Sequence, residues 1–163
     1  MLKGTEIPTM TIHIVLGSSP HLIIPDTDFF NLRRVASGYP QLDTMEATAA
    51  FLVAELDRAE VVMPEALPWN VVTMHARAEY RDDVTDQVGR LTLVYPDEEQ
   101  WDETCVSVLS PLGAAVLGLS EGQSIRWRTS SGGIRGVTIL HVLFQPYQVM
   151  PGWHVWGSDG LLS

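Results

Sequence analysis

The sequence predicts an α+β fold, in which a short antiparallel helical hairpin precedes an antiparallel β-sheet carrying one short helix. Three observations carry that reading. Apolar residues recur at spacings of three and four between residues 26 and 63. From Trp69 onward the apolar period changes to two, as pleated strands require. Ser110-Pro111 then interrupts the strand-like runs with a helix cap and a helix-compatible proline.

Taken in order, residues 1–25 hold one apolar stretch, Ile12-His13-Ile14-Val15-Leu16, closed by Gly-Ser-Ser-Pro. It reads as a short strand or an extended N-terminal arm. Asp26-Thr27-Asp28 supplies capping oxygens ahead of Phe29, Leu32 and Ala36, which fall on one helical face. Gly38-Tyr39-Pro40 ends this first helix. Asp43-Thr44-Met45-Glu46 has the form of a capping box. Behind it Met45, Ala49, Leu52, Leu56, Ala59 and Met63 alternate spacings of four and three, the seam of a short coiled coil, until Pro64. Two helices joined by so short a turn are expected to lie antiparallel, giving a hairpin over residues 26–63.

The sheet domain is expected over residues 64–148. Val71 to Arg81 alternates as one long strand, and Asp82 to Asp86 makes a polar turn. Gly89 to Tyr95 returns as the second strand. Pro96 to Glu103 is an acidic loop, and Cys105 to Leu109 a short buried strand. Ser110 caps a helix from Leu112 to Leu117, closed by Gly118. Ser124–Thr129 and Ile134–Phe144 form a hairpin around Ser130-Ser131-Gly132-Gly133. Residues 149–163, with Trp153 and Trp156, read as a C-terminal tail.

Composition excludes several function classes. With 163 residues, 45% of them hydrophobic and five Trp, the chain can bury a real core. Ten Lys and Arg stand against twenty Asp and Glu, a net charge of −10, so autonomous binding to nucleic acid is not expected. The single cysteine, Cys105, builds no internal disulfide and fits a reducing compartment. Without an apolar run of membrane-spanning length or a signal-peptide core, a cytoplasmic address is expected and no membrane partner.

Chemistry-bearing motifs are sparse. The histidines at positions 13, 21, 75, 141 and 154 show no ligand spacing, and no metal or other cofactor is expected. Ser110 before Pro111 is a helix cap and not a nucleophile elbow. No catalytic residue emerges, and the chain reads as a non-enzyme. One patch stands out, because Arg126, Arg128 and Arg135 share a hairpin without a local acid, on an otherwise acidic chain. Those three arginines are the expected partner-docking site.

Several blocks resemble a known family. Ala54-Glu55-Leu56-Asp57-Arg58-Ala59, Val71-Val72-Thr73-Met74 and Leu93-Val94-Tyr95-Pro96 are similar to nucleoside diphosphate kinase regulators. Ser107-Val108-Leu109-Ser110-Pro111-Leu112-Gly113-Ala114-Ala115-Val116-Leu117-Gly118-Leu119 and Gly122-Gln123-Ser124-Ile125 resemble the C-terminal domain of Gre transcript-cleavage factors as well. Val142-Leu143-Phe144-Gln145-Pro146 closes the match, which runs from about residue 43 to 146. The resemblance implies an FKBP-like domain behind a short coiled-coil hairpin, docking on core RNA polymerase near its secondary channel. Gre factors carry acidic residues at a long hairpin's tip that assist transcript cleavage; here Tyr39, Asp43 and Glu46 fall near the tip. A first helix of about twelve residues spans only roughly 18 Å, so a transcription regulator without cleavage activity is expected. The alternatives are an FKBP-like prolyl isomerase, drawing on Tyr80, Tyr95, Trp127 and Phe144, or a free-standing interaction module such as a regulator of nucleoside diphosphate kinase.

Overall fold

The computed structural model describes residues 13–14, 20–38, 43–129 and 131–147, with side chains from residue 48 onward in the second helix and none for 13–14. Tyr39, most of the Ile12–Leu16 stretch, the side chains of Asp43 and Glu46, and the tail 149–163 lie outside the described residues.

Strands are numbered in chain order. The chain enters through β1 (His13–Ile14) and β2 (Ile23–Pro25), then forms α1 (Asp26–Gly38) and α2 (Asp43–Arg58). β3 (Glu60–Val62) pairs with β2 in parallel, Ile23 opposite Glu60 and Pro25 opposite Val62. The seam expected to run to Met63 therefore stops at Arg58. Glu60 donates its amide to the Leu22 carbonyl at 2.9 Å, and the β-branched pair Val61-Val62 favours the extended backbone that this bond requires. Met63 is exposed, whereas Ala49, Leu52 and Leu56 are buried as the spacing predicts. The expected arm is likewise anchored at its end, since Leu22 and Ile24 are fully buried.

The large sheet has the order β1-β7-β8-β4-β5-β6. Its members are β4 (Arg77–Asp82), β5 (Val88–Val94), β6 (Cys105–Ser107), β7 (Ser124–Arg128) and β8 (Ile134–Phe144). The sheet is mixed, not wholly antiparallel, because β6 runs parallel to β5. The long strand expected from Val71 begins only at Arg77. Upstream, Val71 bridges Ser120, and His75 turns the chain with a φ of 67°. A non-glycine residue in that region marks a turn, so period-two patterning there reflects burial of Val72, Met74 and Ala76 in an irregular segment.

α3 (Pro111–Val116) follows the expected cap closely. The Ser110 hydroxyl accepts from the Gly113 amide, and Pro111 occupies the first turn. Gly113 is obligatory here, since a Cβ at that position would lie 2.0 Å from the Ser107 carbonyl oxygen. Gln145, wholly buried, donates to the carbonyls of Pro68 and Val71 at 2.9 Å and ties the end of β8 to the irregular segment. One apolar core joins Leu32 of α1, Leu52 and Leu56 of α2, Ala115 of α3 and Leu91, Leu93 and Ile139 of the sheet. α1 packs on α2, and the Arg33 guanidinium in mid-α1 is bonded to Asp57 in the last turn of α2.

Candidate functional site

Strand register divides the sheet into two faces, because residues directly opposed on neighbouring strands share a side. Ala78 opposes Leu91 and Val142, and Ile125 opposes Val137; all are buried and define the core face. Their sequence neighbours form the outer face. It carries Arg126 and Arg128 on β7, Arg77, Glu79 and Arg81 on β4, and Arg90 on β5. Val88, His141 and Phe144 stand among them, exposed.

The three arginines singled out from the sequence do not form one patch. Arg126 opposes Gly136 and Arg128 opposes Ile134, on the outer face. Arg135 opposes the buried Trp127 and so stands on the other side of the ribbon. It does have an acidic partner: its guanidinium donates to Asp82 at 3.0 Å. The correction is one of pleat, since an odd and an even position cannot share a face across this register. In compensation Arg77, Arg81 and Arg90 join Arg126 and Arg128. The spacing Arg77, Glu79, Arg81 already held that signal, at alternate positions of a strand.

Local contacts hold this face in order. Arg81 donates to Asp83 at 3.0 Å, Asp83 accepts from the Thr138 hydroxyl at 2.8 Å, and Thr138 lies 2.6 Å from the Ser124 hydroxyl. Arg90 lies 3.5 Å from Glu79. A Cβ on Gly136 would sit 3.2 Å from Cγ of Arg126, so the missing side chain makes room for the arginine stem. Arg126 and Arg128 make no hydrogen bond or ion pair with any described residue. At the β6 edge, Arg77 and Arg90 line a shallow cleft of about 490 Å³ with Asp102, Glu103 and Thr104.

On the core side, Tyr80 and Trp127 come together in a second cleft of about 250 Å³, with Leu112, Val137, Asp82 and Arg135. Of the four aromatic residues considered from the sequence, Tyr95 and Phe144 are elsewhere. Tyr95 packs edge-on against His75, and Phe144 lies on the outer face opposite Arg77. The acidic loop is a short 3-10 helix, Pro96–Trp101, in which Glu98 caps the Tyr95 amide and bonds His75 at 2.8 Å. Trp101 stacks on the His75 ring. His75, expected in mid-strand, is thus a turn residue tied to this segment.

Asp28, expected to cap α1, is buried instead. It accepts from the Met74 amide at 3.1 Å and from the Tyr147 hydroxyl at 2.6 Å. Burial raises its pKa, against the lowering effect of those two hydrogen bonds and of His75. No helix among the described residues is long and apolar enough to cross a membrane.

Comparison with known proteins matches residues 67–144 to the family described as the C-terminal part of the transcription elongation factors GreA and GreB. The regulator of nucleoside diphosphate kinase from Escherichia coli strain K12 is 36% identical over 134 residues, spanning 79% of this chain and 93% of that protein. The transcription elongation factor GreA of Nitratidesulfovibrio vulgaris is 31% identical over 81 residues, half of each chain (50% and 51%). Among solved structures, a prokaryotic transcription elongation factor GreA/GreB from Nitrosomonas europaea superposes with a TM-score of 0.61. It is 34% identical and covers 77% of this chain and all of its own.

Proposed function

The chain belongs to the family of the GreA/GreB C-terminal domain and the regulator of nucleoside diphosphate kinase, and we propose that it regulates transcription by docking on core RNA polymerase. In this reading an FKBP-like sheet domain behind a short helical hairpin makes the contact, near the secondary channel and in the cytoplasm. It acts through protein–protein contact and not as an enzyme. The observation that carries the reading is the match across 134 residues to a regulator, together with the elongation-factor match over the sheet domain.

The proposal assigns no cleavage activity to the hairpin. α1 has 13 residues and α2 has 16, which at 1.5 Å per residue gives about 20 and 24 Å. Leu32, Leu52 and Leu56 of these helices belong to the core shared with the sheet. Helices so anchored have little length left with which to carry Tyr39, Asp43 and Glu46 into a buried active centre. Arg126 and Arg128 are the proposed docking residues, and Arg135 is withdrawn to the structural side of the ribbon.

The test is capture of purified core polymerase by the full chain, followed by a cleavage assay on a backtracked complex. Capture without stimulation of cleavage is expected. Absence of capture would remove the docking reading. Cleavage that disappears in Asp43→Ala and Glu46→Ala would overturn the assignment of a non-catalytic tip. A second reading, prolyl isomerisation, is favoured by one feature only, the Tyr80–Trp127 cleft. Turnover of a fluorogenic Xaa-Pro peptide, lost in Tyr80→Ala, would establish it.

A further inference from the structure

We propose that the outer face of the large sheet docks an acidic protein segment, seated on its β7–β8 side, whose carboxylates recur about 6 to 7 Å apart. This deepens the polymerase reading by naming the chemistry of the contact, and rests on that reading for the partner's identity.

Charge placement is the first support. The whole chain has ten basic residues and twenty acidic ones. Five of the ten, Arg77, Arg81, Arg90, Arg126 and Arg128, stand on this one face by register. Among the described residues, Glu79 and Asp83 lie among them, while Asp86, Asp102, Glu103 and Glu121 border it. Asp83 also reaches β8, where it accepts from the Thr138 hydroxyl, and Glu121 accepts from the Val142 amide of β8; β7 itself carries no acid.

Guanidinium groups without a partner among the described residues are the second support. Arg81 and Arg90 are engaged by Asp83 and Glu79, whereas Arg126 and Arg128 have no partner among the described residues. Both are exposed, and the Arg126 stem rests over Gly136. An unpartnered guanidinium offers a rigid fork that suits a carboxylate with two parallel bonds.

Spacing and rim decide the kind of partner. Alternate residues on a strand lie about 7 Å apart, and carboxylates four apart on a helix are separated by about 6 Å along its axis. One acidic helix face, or alternate acids on an extended segment, can therefore meet both arginines at once. A nucleic-acid backbone fits less well. Its unbroken run of phosphates, crossing strands spaced about 4.8 Å apart, would meet Asp83, Glu79 and then Asp102 and Glu103. The net charge of −10 adds long-range repulsion.

The experiment measures binding of the full chain to fluorescent poly-L-glutamate, to a 20-base-pair DNA duplex and to core polymerase, each over a salt series. The face variant is Arg77→Gln, Arg90→Gln, Arg126→Gln, Arg128→Gln, which makes the net charge four units more negative. A control of equal charge carries Phe30→Glu, Arg34→Glu and Ser37→Glu on exposed positions of α1. The double variant Arg126→Gln, Arg128→Gln serves if the fourfold change disturbs folding. Poly-L-glutamate should bind the parent and the control, weaken about tenfold or more as salt rises, and be lost in the face variant. Equal binding by parent and face variant, or no binding by either, overturns the proposal. Binding of duplex instead, lost in the face variant, makes this a nucleic-acid surface and also overturns it. If poly-L-glutamate binds as expected but polymerase is not captured, the polymerase reading fails and this surface stands. If polymerase is captured equally by the face variant, the polymerase contact lies elsewhere and the deepening fails.

Discussion

The Tyr147 hydroxyl donates a 2.6 Å hydrogen bond to the buried carboxylate of Asp28, joining the first turn of α1 to the chain just past the last strand. The same carboxylate takes the Met74 amide, and Thr27 lies 3.0 Å from the Tyr147 oxygen. Two groups distant in sequence, the Tyr147 hydroxyl and the Met74 amide, thus meet on one acid, and the helical segment is fastened to the sheet domain through it. Burial lifts the Tyr147 phenol to about 12, so it remains a donor throughout the useful pH range.

The pH dependence of this contact has a definite sign. The groups around Asp28 are Tyr147, the Met74 amide, His75 and Tyr95. Its folded-state pKa lies above the ordinary carboxyl value of 3.8, so the folded state favours the protonated acid. Its contribution to stability is therefore greatest below the unfolded value, and declines as pH rises from 3.8 to the raised value. Asp28→Asn keeps an acceptor for the Met74 amide, turns an amide N–H toward the Tyr147 oxygen in place of the acceptor, and removes the titration. The stability of Asp28→Asn relative to the parent should rise with pH across that window and then level off. Chemical denaturation of both proteins from pH 3 to 7 checks it, and a difference that falls with pH would reverse the assignment.

Burial holds the helices against the sheet. Leu52 is wholly inaccessible and Leu56 nearly so, both within the shared core. Leu52→Ala or Leu56→Ala should each cost about 2 to 5 kcal/mol. Met63→Ala should change stability by less than about 0.5 kcal/mol, because that residue lies on the surface beyond β3. Parallel urea melts of the three variants separate a buried seam ending at Leu56 from one reaching Met63.

Gly113 in the block Ser110-Pro111-Leu112-Gly113 has a steric reason to be glycine. An added methyl would be forced against the Ser107 carbonyl, which is backbone and cannot swing away. Gly113→Ala should destabilise by about 1 to 3 kcal/mol or more. Ser110→Ala should cost about 1 kcal/mol through loss of the cap alone. A Gly113→Ala protein as stable as the parent would mean that α3 shifts away from β6.

The reasons these elements could or could not be read from the sequence are physical. Ser110 and the Leu52–Leu56 seam were legible because capping and helical burial are local, periodic signals. The parallel pairing of β2 with β3 was not, because the two strands meet only through partners 37 residues apart and each is three residues long. His75 was misplaced for a related reason. Burial of Val72, Met74 and Ala76 imitates a strand, while the positive φ that breaks it leaves no mark in a histidine. The placement of the hairpin arginines was legible in part. Arg126 and Arg128 follow from a spacing of two, but the side taken by Arg135 depends on cross-strand register, which depends in turn on the length of the turn after Arg128.

That register yields the final prediction, which separates the arginines proposed to dock from the one bonded within the fold. Arg135 bonds Asp82, whose carboxyl is held below the usual range. Desolvation opposes that lowering, and the amides of Thr85 and Val84 together with Arg135 outweigh it. The Asp82 contribution is therefore present above pH 3.8 and fades as pH falls through the lowered value. Arg135 is exposed and Asp82 half-buried, and pairs so near the surface contribute about 0 to 1 kcal/mol. Arg135→Glu places two acids side by side and should lower the melting temperature by a few degrees near neutral pH, less so in acid. Its capture of core polymerase should match the parent's. Arg126→Glu with Arg128→Glu removes no hydrogen bond or ion pair among the described residues and should leave melting nearly unchanged, yet it should slow association with the polymerase and flatten its dependence on salt. Association rates by surface plasmon resonance, with melts of the same preparations, measure both effects. Equal loss of capture in the two proteins would mean that both faces of the ribbon touch the partner, and would return Arg135 to the docking site.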